Sequence, residues 1–346
     1  MIDCYSLVKP LLFSLPPETA HSLTLNTLKI YDKCLKNKNN HPSNTTQKQV
    51  MGLSFPNPVG LAAGLDKSGA YIDALSRLGF GFLEIGTITP RAQAGNPKPR
   101  LFRLTKSRAL INRMGFNNAG IERCLDNIRA SRYTGILGIN VGKNLHTPLE
   151  HAIDDYLAGL TAFYPYASYI TINISSPNTP GLRTLQQGDP LRFLLEALKN
   201  KQHECQQQQQ RSVPLVIKVA PDLTVEEVQR MSECFIEFAV DGIIATNTTS
   251  QRPTTLNEKS LHEQGGLSGL PLYPYSLNII KQFRLALNGK IPIIGVGGIV
   301  SAPQAYSMLA AGADLVQLYT GLIYRGPRLV MECRSLLATL SETLSE

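Results

Sequence analysis

Two lysines in this sequence are candidate ligand-binding residues. Lys67 directly follows GLAAGLD, and Lys218 lies inside the apolar run PLVIKVAPD. An ammonium group within an apolar strand is costly unless a negative charge lies beside it. A bound anionic ligand such as a reduced flavin ring would supply that charge, and so would a salt bridge to Glu84 in FLEIG. The pattern therefore indicates either a ligand-binding lysine or a buried ion pair.

Three further segments combine residue types that suit ligand binding. GVGG (295–298) and YTG (319–321) are glycine-rich turns, whose backbone N–H groups can approach a phosphate closely. Tight packing of strand against helix is the alternative explanation. NRMGFN (112–117) lies in a long segment, residues 90–120, and its amide, guanidinium and glycine suit a planar, carboxylated heterocycle. A surface loop without a ligand is the alternative there.

The elements that would position these residues recur along the chain. Short apolar, β-branched runs, each ending in a polar or glycine-rich turn, lie at 58–64, 80–89, 135–144, 169–178, 214–222, 242–249, 291–299 and 315–321. Helix-like segments lie between them, so the pattern predicts an α/β fold, a (β/α)8 TIM barrel with its active site at the carboxyl ends of the strands. A doubly wound sheet is the alternative, but AAGLDKSG is not the G-x-G-x-x-G fingerprint.

A small helical piece precedes the barrel. We expect a helical pair over 1–35, a polar linker over 36–49 and the barrel over 50–346. Apolar residues at helical spacing and the break at Leu15-Pro16-Pro17 predict two short amphipathic helices. Such a pair could cap the bottom of the barrel or lie on an anionic membrane surface.

Composition excludes several classes of protein. The chain has 346 residues, 43% of them hydrophobic and 17% charged, which excludes global disorder. Its net charge is +8, but there is no block of five like charges, so no nucleic-acid partner is expected. The six cysteines form no C-x-x-C pair, so neither a metal site nor a disulfide framework is expected. The N-terminus does not read as a signal peptide, so we expect the protein to stay in the cytoplasm where it is made.

Several motifs in order along nearly the whole chain resemble the dihydroorotate dehydrogenase family, in its quinone-dependent, membrane-associated class. They are GLAAGLDKSG, GFGFLEIGTITPRAQAGNPKPRLFRL, INRMGFNN, GINVGKN, TINISSPNTPGLR, VIKVAPDL, GIIATNTT, GGLSG, IIGVGGI and QLYTGLIYRGP. The resemblance implies an FMN enzyme that oxidises dihydroorotate to orotate in pyrimidine biosynthesis and passes the electrons to ubiquinone or a similar quinone.

The same resemblance implies roles by position. FMN would contact Ala63, Gly64, Leu65, Asp66, Lys67, Thr87, Asn140, Asn173, Lys218, Thr246, Gly269, Gly298, Tyr319 and Thr320. The substrate would be held by Lys67, Asn112, Arg113, Met114, Gly115, Phe116, Asn173, Asn178, Asn247 and Thr248. No metal is implied.

Ser176 would be the catalytic base, and this assignment separates the classes of the family. The soluble classes use a cysteine on this loop, which reads NISSPNTPG here. A serine needs a route for passing its proton on. The loop contains no histidine or carboxylate before Asp189, so the sequence does not explain how the serine is activated.

For residues 1–35, the resemblance implies a tunnel by which quinone reaches FMN, with His21 and Arg103 among its lining residues. It implies a protein bound peripherally to the cytoplasmic side of the cell's inner membrane, in contact with lipid, and we expect a monomer.

Three rival functions fit a barrel of this kind. A flavin-dependent barrel acting on tRNA would use a catalytic cysteine and an RNA-binding appendage, and neither is evident. A phosphate-binding isomerase or aldolase would have no flavin absorbance. A barrel that binds ligands without turnover would not need Lys67, Ser176 and Lys218 together.

Overall fold

The computed structural model describes residues 4–34 and 47–343. Its strands, in chain order, are β1 (Lys48–Val50), β2 (Leu53–Phe55), β3 (Val59–Leu61), β4 (Phe82–Ile88), β5 (Leu101–Leu104), β6 (Ala109–Asn112), β7 (Ile136–Val141), β8 (Tyr169–Asn173), β9 (Leu215–Val219), β10 (Gly242–Ala245), β11 (Gly266–Gly269), β12 (Ile293–Val296) and β13 (Leu315–Leu318). Strands β3, β4, β7, β8, β9, β10, β12 and β13 close into a parallel barrel in which β13 pairs with β3. Each lies in one of the predicted apolar runs, so the TIM-barrel prediction is confirmed.

Helices connect the strands and cover the barrel. They are α1 (Cys4–Ser14), α2 (Pro17–Cys34), α3 (Ile72–Ser76), α4 (Gly120–Ala130), α5 (Ala152–Phe163), α6 (Gly188–Gln209), α7 (Val225–Glu237), α8 (Tyr273–Ala286), α9 (Ala302–Ala310), α10 (Thr320–Arg325) and α11 (Arg328–Thr343). Short 3-10 turns lie at Leu149–His151, Leu182–Gln186, Lys259–His262 and Leu270–Leu272. The barrel strands are buried on both faces, which accounts for their near-continuous apolar runs.

A hairpin closes the amino-terminal end of the barrel. Strands β1 and β2 pair antiparallel, and Phe55 of β2 packs edge-on against Phe82 at the start of β4, with ring centroids 5.1 Å apart. Phe82 in turn packs against Tyr169. Because this plug fills the bottom of the barrel, ligands have room only at the opposite, carboxyl end. Lys48 and Gln49, which we had assigned to the linker, belong to β1; residues 36–46 of the linker lie outside the described residues.

The long segment 90–120 is ordered around a small sheet. Strands β5 and β6 form a hairpin, and β11 adds to β6 from the loop after β10. The sequence predicted only a long loop here. Two connections from different barrel strands thus form one platform beside the rim.

Helices α1 and α2 pack beside this platform rather than under the barrel. Glu18 of α2 pairs with Arg100 at 3.0 Å, and Asp32 pairs with Arg77 and with Arg132. The proposal of a cap on the barrel bottom is therefore wrong, because β1 and β2 fill that place. Within the described residues, no helix is long and apolar enough to cross a bilayer.

Candidate active site

A cavity of about 460 Å³ opens at the carboxyl ends of the barrel strands, a volume typical of small-molecule sites. Its walls come from the turns after the strands, from the β5–β6–β11 platform and from one side of α2. The predicted site residues that line it are Ala63, Gly64, Leu65, Asp66, Lys67, Thr87, Asn112, Met114, Gly115, Phe116, Asn173, Ser176, Asn178, Lys218, Thr246, Asn247, Thr248, Gly269, Gly298, Tyr319 and Thr320.

Asn140 does not line the cavity but supports its floor. It is fully buried, its amide donates to Glu84 Oε1 at 2.8 Å, and its oxygen accepts from Thr87 Oγ1 at 2.6 Å. The amide of Asn173 donates to Thr87 Oγ1 at 3.0 Å, and that of Asn247 donates to Asn173 Oδ1 at 3.3 Å. A chain of hydrogen bonds therefore rises from the buried Glu84 to the rim and fixes the rotamers of the amides that face the cavity.

Arg113 also lies outside the cavity, in contrast to the substrate-binding role expected from the sequence. Its guanidinium pairs with Glu263 at 2.7 Å, donates to the carbonyl of Pro99 at 2.9 Å and stacks over the ring of Phe102. These contacts point it away from the ligand space. Arg113 instead ties the platform to the loop that precedes β11.

Lys218 faces the cavity with its ammonium group uncommitted. Glu84, the alternative partner, accepts hydrogen bonds from Asn140, from Tyr169 at 2.9 Å and from Gln317 at 2.7 Å. In the described part of the chain Lys218 has no acid within 4.0 Å, although the charge of Glu84 opposes the lowering of the Lys218 pKa by burial. The ammonium group is therefore left for a ligand.

Lys67 is the second cation of the cavity. Burial lowers its pKa to about 8, with the charge of Glu18 opposing this and that of Arg100 adding to it. At neutral pH the amine is still mostly protonated. It can therefore bind an anionic group of a ligand.

Asp66 shapes the loop that carries Lys67. Its carboxylate accepts backbone N–H bonds from Ser68 at 3.3 Å, Ala70 at 3.0 Å and Tyr71 at 2.8 Å. Burial raises the Asp66 pKa, and these hydrogen bonds oppose the rise. The side chain of Asp66 is thus occupied by its own loop, and it acts on the cavity through the position of Lys67.

Ser176 lies on the turn after β8 with its side chain almost fully buried. Its Oγ accepts a hydrogen bond from the backbone N–H of Asn178 at 3.2 Å. Among the described residues, no histidine or carboxylate forms a hydrogen bond with this oxygen. A backbone N–H that donates to Oγ favours its anionic form, which is a contribution that the sequence did not reveal.

Sequence reasoning missed several lining residues. Gln317 lines the cavity, and its Oε1 is buried without a hydrogen-bond partner in the described structure. Asn117 also lines the cavity, and its Oδ1 is likewise buried without a hydrogen-bond partner in the described structure. Ser268 lines the cavity on the side of the platform. Gln317 could have been found by the signal that identified Lys218, because each is a polar residue inside an apolar strand run.

A smaller, mostly apolar cavity of about 150 Å³ lies between helices α1 and α2 and the barrel. It is lined by both predicted tunnel residues, His21 and Arg103. The residues that line both cavities, and so form the wall between them, are His21, Leu25, Leu65, Leu101, Leu110 and Tyr319. A cavity of mixed polar and apolar lining and a mostly apolar cavity therefore meet at one boundary.

Arg103 and His21 differ in charge. The Arg103 guanidinium donates to the carbonyls of Leu12, Phe13 and Leu15, the nearest at 2.7 Å, and so fixes the end of α1. Burial and the charge of Lys67 lower the His21 pKa to about 3. The imidazole is therefore uncharged at neutral pH.

Comparison with known proteins agrees with this geometry. Residues 45–340 match the family model described as dihydroorotate dehydrogenase. The chain belongs to the dihydroorotate dehydrogenase family. Relatives named dihydroorotate dehydrogenase (quinone) include that of Acinetobacter baylyi, 56% identical over 96% of this chain and 98% of the relative. That of Bordetella avium is 53% identical over 96% of this chain and 97% of the relative.

Solved structures of the dihydroorotate dehydrogenase from Eimeria tenella share the fold. The complex with ferulenol is 37% identical, with a TM-score of 0.87 over 96% of this chain and 95% of that chain. The ligand-free form is 39% identical, with a TM-score of 0.85 over 94% of this chain and 96% of that one. The family and the fold expected from the sequence are thus confirmed.

Proposed function

We propose that this protein oxidises dihydroorotate to orotate in pyrimidine biosynthesis and passes the electrons to a quinone. The observation that carries the proposal is the pair of adjoining cavities. The larger one presents lysines, amides and a serine, which suit a polar, anionic substrate, and the smaller one is apolar, which suits a quinone. The relatives that bear the name dihydroorotate dehydrogenase (quinone) support the same reaction.

FMN is the cofactor that fits the larger cavity. Lys218 and the buried Oε1 of Gln317 offer an uncommitted cation and an uncommitted acceptor to a polar ring edge. FMN held there would supply the redox chemistry that couples oxidation of the substrate to reduction of the quinone. Every residue expected to contact FMN lines the cavity except Asn140, which holds Thr87 from below.

The turn after β12 suits the phosphate of FMN. Gly298 adopts φ +80°, and a Cβ there would lie 2.4 Å from the backbone nitrogen of Tyr273. Only glycine keeps the backbone open at this point. Thr320 lies on the neighbouring turn and also lines the cavity, so the two turns together form a cradle for an anion.

The substrate would lie against the platform. Asn178 donates its amide to Asn112 Oδ1 at 3.4 Å, which assembles donors and acceptors suited to the ring amides of dihydroorotate. Lys67 would bind the substrate carboxylate. Ser176 Oγ would pass its own proton to solvent and take the proton from the carbon next to the ring carbonyl. The N–H of Asn178 would stabilise the negative charge that Oγ carries between these two transfers.

The two half-reactions can be tested separately by absorbance. We expect the purified protein to be yellow, to bleach when dihydroorotate is added without oxygen, and to regain its colour when quinone follows. A flavin that dihydroorotate does not bleach would contradict the proposed substrate. A colourless protein would favour the isomerase or aldolase alternative.

Orotate binding should weaken with rising pH because it needs the protonated form of Lys67. With a Lys67 pKa of about 8, the charged fraction is nearly complete at pH 7 and about one tenth at pH 9, so the dissociation constant should rise roughly tenfold. Titration of the FMN-loaded enzyme with orotate measures this. Lys67→Gln should bind weakly at both pH values, and an equally steep pH dependence in that variant would assign the titration to another group.

The N-terminal helices are proposed as the membrane contact and the quinone entrance. Leu7, Leu11 and Ile30 expose 72%, 68% and 64% of their surface, which is unusual for large apolar side chains and typical of an interfacial helix pair. We place the protein peripherally on the cytoplasmic face of the inner membrane and expect a monomer. His21 and Arg103 would face the quinone head group where the two cavities meet.

A further inference from the structure

One arginine connects three loops of the active site. Arg183 lies in the 3-10 turn Leu182–Gln186, which follows the loop that carries Ser176. Its Nε donates to the carbonyl of Ser175 at 3.2 Å, and its Nη2 donates to the carbonyl of Thr248 at 3.0 Å. The loops after β8 and β10 are therefore held by a single guanidinium.

Asp222, in the loop after β9, fixes the same guanidinium. It accepts from Arg183 Nη1 at 2.8 Å, and the two side chains expose only 26% and 11% of their surface. The carboxylate also accepts from Thr249 Oγ1 and from the backbone N–H of Ser250. Because this ion pair is largely shielded from water, it keeps the planar fork of Arg183 in one orientation.

Ser175, the residue before Ser176, is held by hydrogen bonds to both its carbonyl and its hydroxyl group. Its carbonyl accepts from Arg183, while the Ser175 hydroxyl donates to Asn173 Oδ1 at 3.1 Å and accepts from Asn247 Nδ2 at 3.0 Å. A peptide group anchored through its carbonyl cannot rotate freely. The plane of the Ser175–Ser176 peptide, and with it the direction of the Ser176 side chain, is thereby defined.

We propose that Arg183, oriented by Asp222, is a positioning residue. It directs the Ser176 side chain towards the substrate and holds Thr248 at a fixed position relative to Ser176. This inference rests on the proposed function, since it requires Ser176 to be the base. Arg183 does not line the cavity, so its effect on the reaction passes through the two carbonyls that it binds.

The test compares Arg183→Ala, Arg183→Lys and the control Arg192→Ala, all loaded with FMN. Arg192 also pairs with a carboxylate, that of Glu237, but on the exposed outer helices and away from the active-site loops. In Arg183→Ala, flavin reduction at saturating dihydroorotate should slow roughly 10- to 50-fold, since displacement of a catalytic group by about 1 Å costs up to about 10²-fold. The control should stay within about twofold, as is usual for surface substitutions.

Arg183→Lys separates positioning from stability. A lysine ammonium can keep the pair with Asp222 but lacks the fork that reaches both carbonyls. We therefore expect the melting temperature to recover towards that of the unchanged protein while flavin reduction stays slow. If Arg183→Ala does not fold, Arg183→Lys decides alone.

Two outcomes would overturn the positioning role: Arg183→Ala reducing its flavin as fast as Arg192→Ala, or Arg183→Lys recovering the full rate. Both outcomes can be interpreted only if dihydroorotate bleaches the flavin of the unchanged enzyme. If it does not, the proposed function itself fails, so the two failures are distinguishable.

Discussion

Replacing Ser176 with alanine should slow flavin reduction by dihydroorotate about 10²- to 10⁴-fold, the usual contribution of a positioned general base. FMN and orotate should still bind, because the hydroxyl only accepts a hydrogen bond from the N–H of Asn178 and anchors no other described residue. Anaerobic stopped-flow absorbance at saturating dihydroorotate measures the rate, and orotate titration measures binding. A near-normal rate would exclude Ser176 as the base.

Ser175→Ala is the matched control for this variant. It removes a hydroxyl from the same loop, but one that is directed at Asn173 and Asn247. Loss of these two hydrogen bonds should cost about 0.5–1.5 kcal/mol of stability each. We expect flavin reduction to slow by less than about tenfold, much less than the loss of a base. Ser176→Cys provides a second check, because the lower pKa of a thiol should shift the pH–rate profile towards acid.

Removal of residues 1–35 should abolish efficient use of a long-chain quinone while leaving dihydroorotate oxidation intact. Helices α1 and α2 supply Leu12, Phe13 and Leu28 to the apolar cavity. Loss of about 100 Å² of apolar contact with a quinone tail corresponds to about 2.5 kcal/mol, or roughly 70-fold in kcat/KM. Steady-state turnover with long-chain quinone detects the loss.

A small soluble acceptor is the internal control for the truncation. It should reoxidise the flavin in both forms, because the larger cavity is built almost entirely by the barrel and the platform. The truncated protein should also lose affinity for anionic vesicles, and binding of the full chain should weaken as salt is added, since part of it is electrostatic. Equal turnover of long-chain quinone by both forms would show that the helices do not form the entrance.

The Asp32→Asn variant tests whether weaker anchoring of the helices is enough to explain a loss of long-chain quinone turnover. Asp32 pairs with Arg77 and Arg132 on the side of α2 that faces α3, and it lines neither cavity. Its replacement should lower the melting temperature without the large loss of quinone turnover. A loss as large as that of the truncation would assign the effect to helix anchoring.

Local patterns in the sequence determined the barrel and most of the residues at its rim. Each barrel strand is buried on both faces, so it appears in the sequence as a short, nearly continuous run of apolar residues. The carboxyl ends of parallel strands must share one edge, so the sequence alone places Lys67, Thr87 and Asn173 at one rim of the barrel. The motif resemblance added Ser176 and the family, which the comparisons confirm.

Tertiary structure alone decided which of these side chains reach the cavity. Arg113 and Met114 are neighbours in one motif, yet Arg113 pairs with Glu263, 150 residues away, while Met114 lines the cavity. The position of α2 likewise depends on Arg77, Arg100 and Arg132, which come from two different connections of the barrel. The direction of a side chain and the docking of a helix are set by partners that are distant in the chain. Periodicity and local composition describe only neighbouring residues, so they cannot reveal those partners.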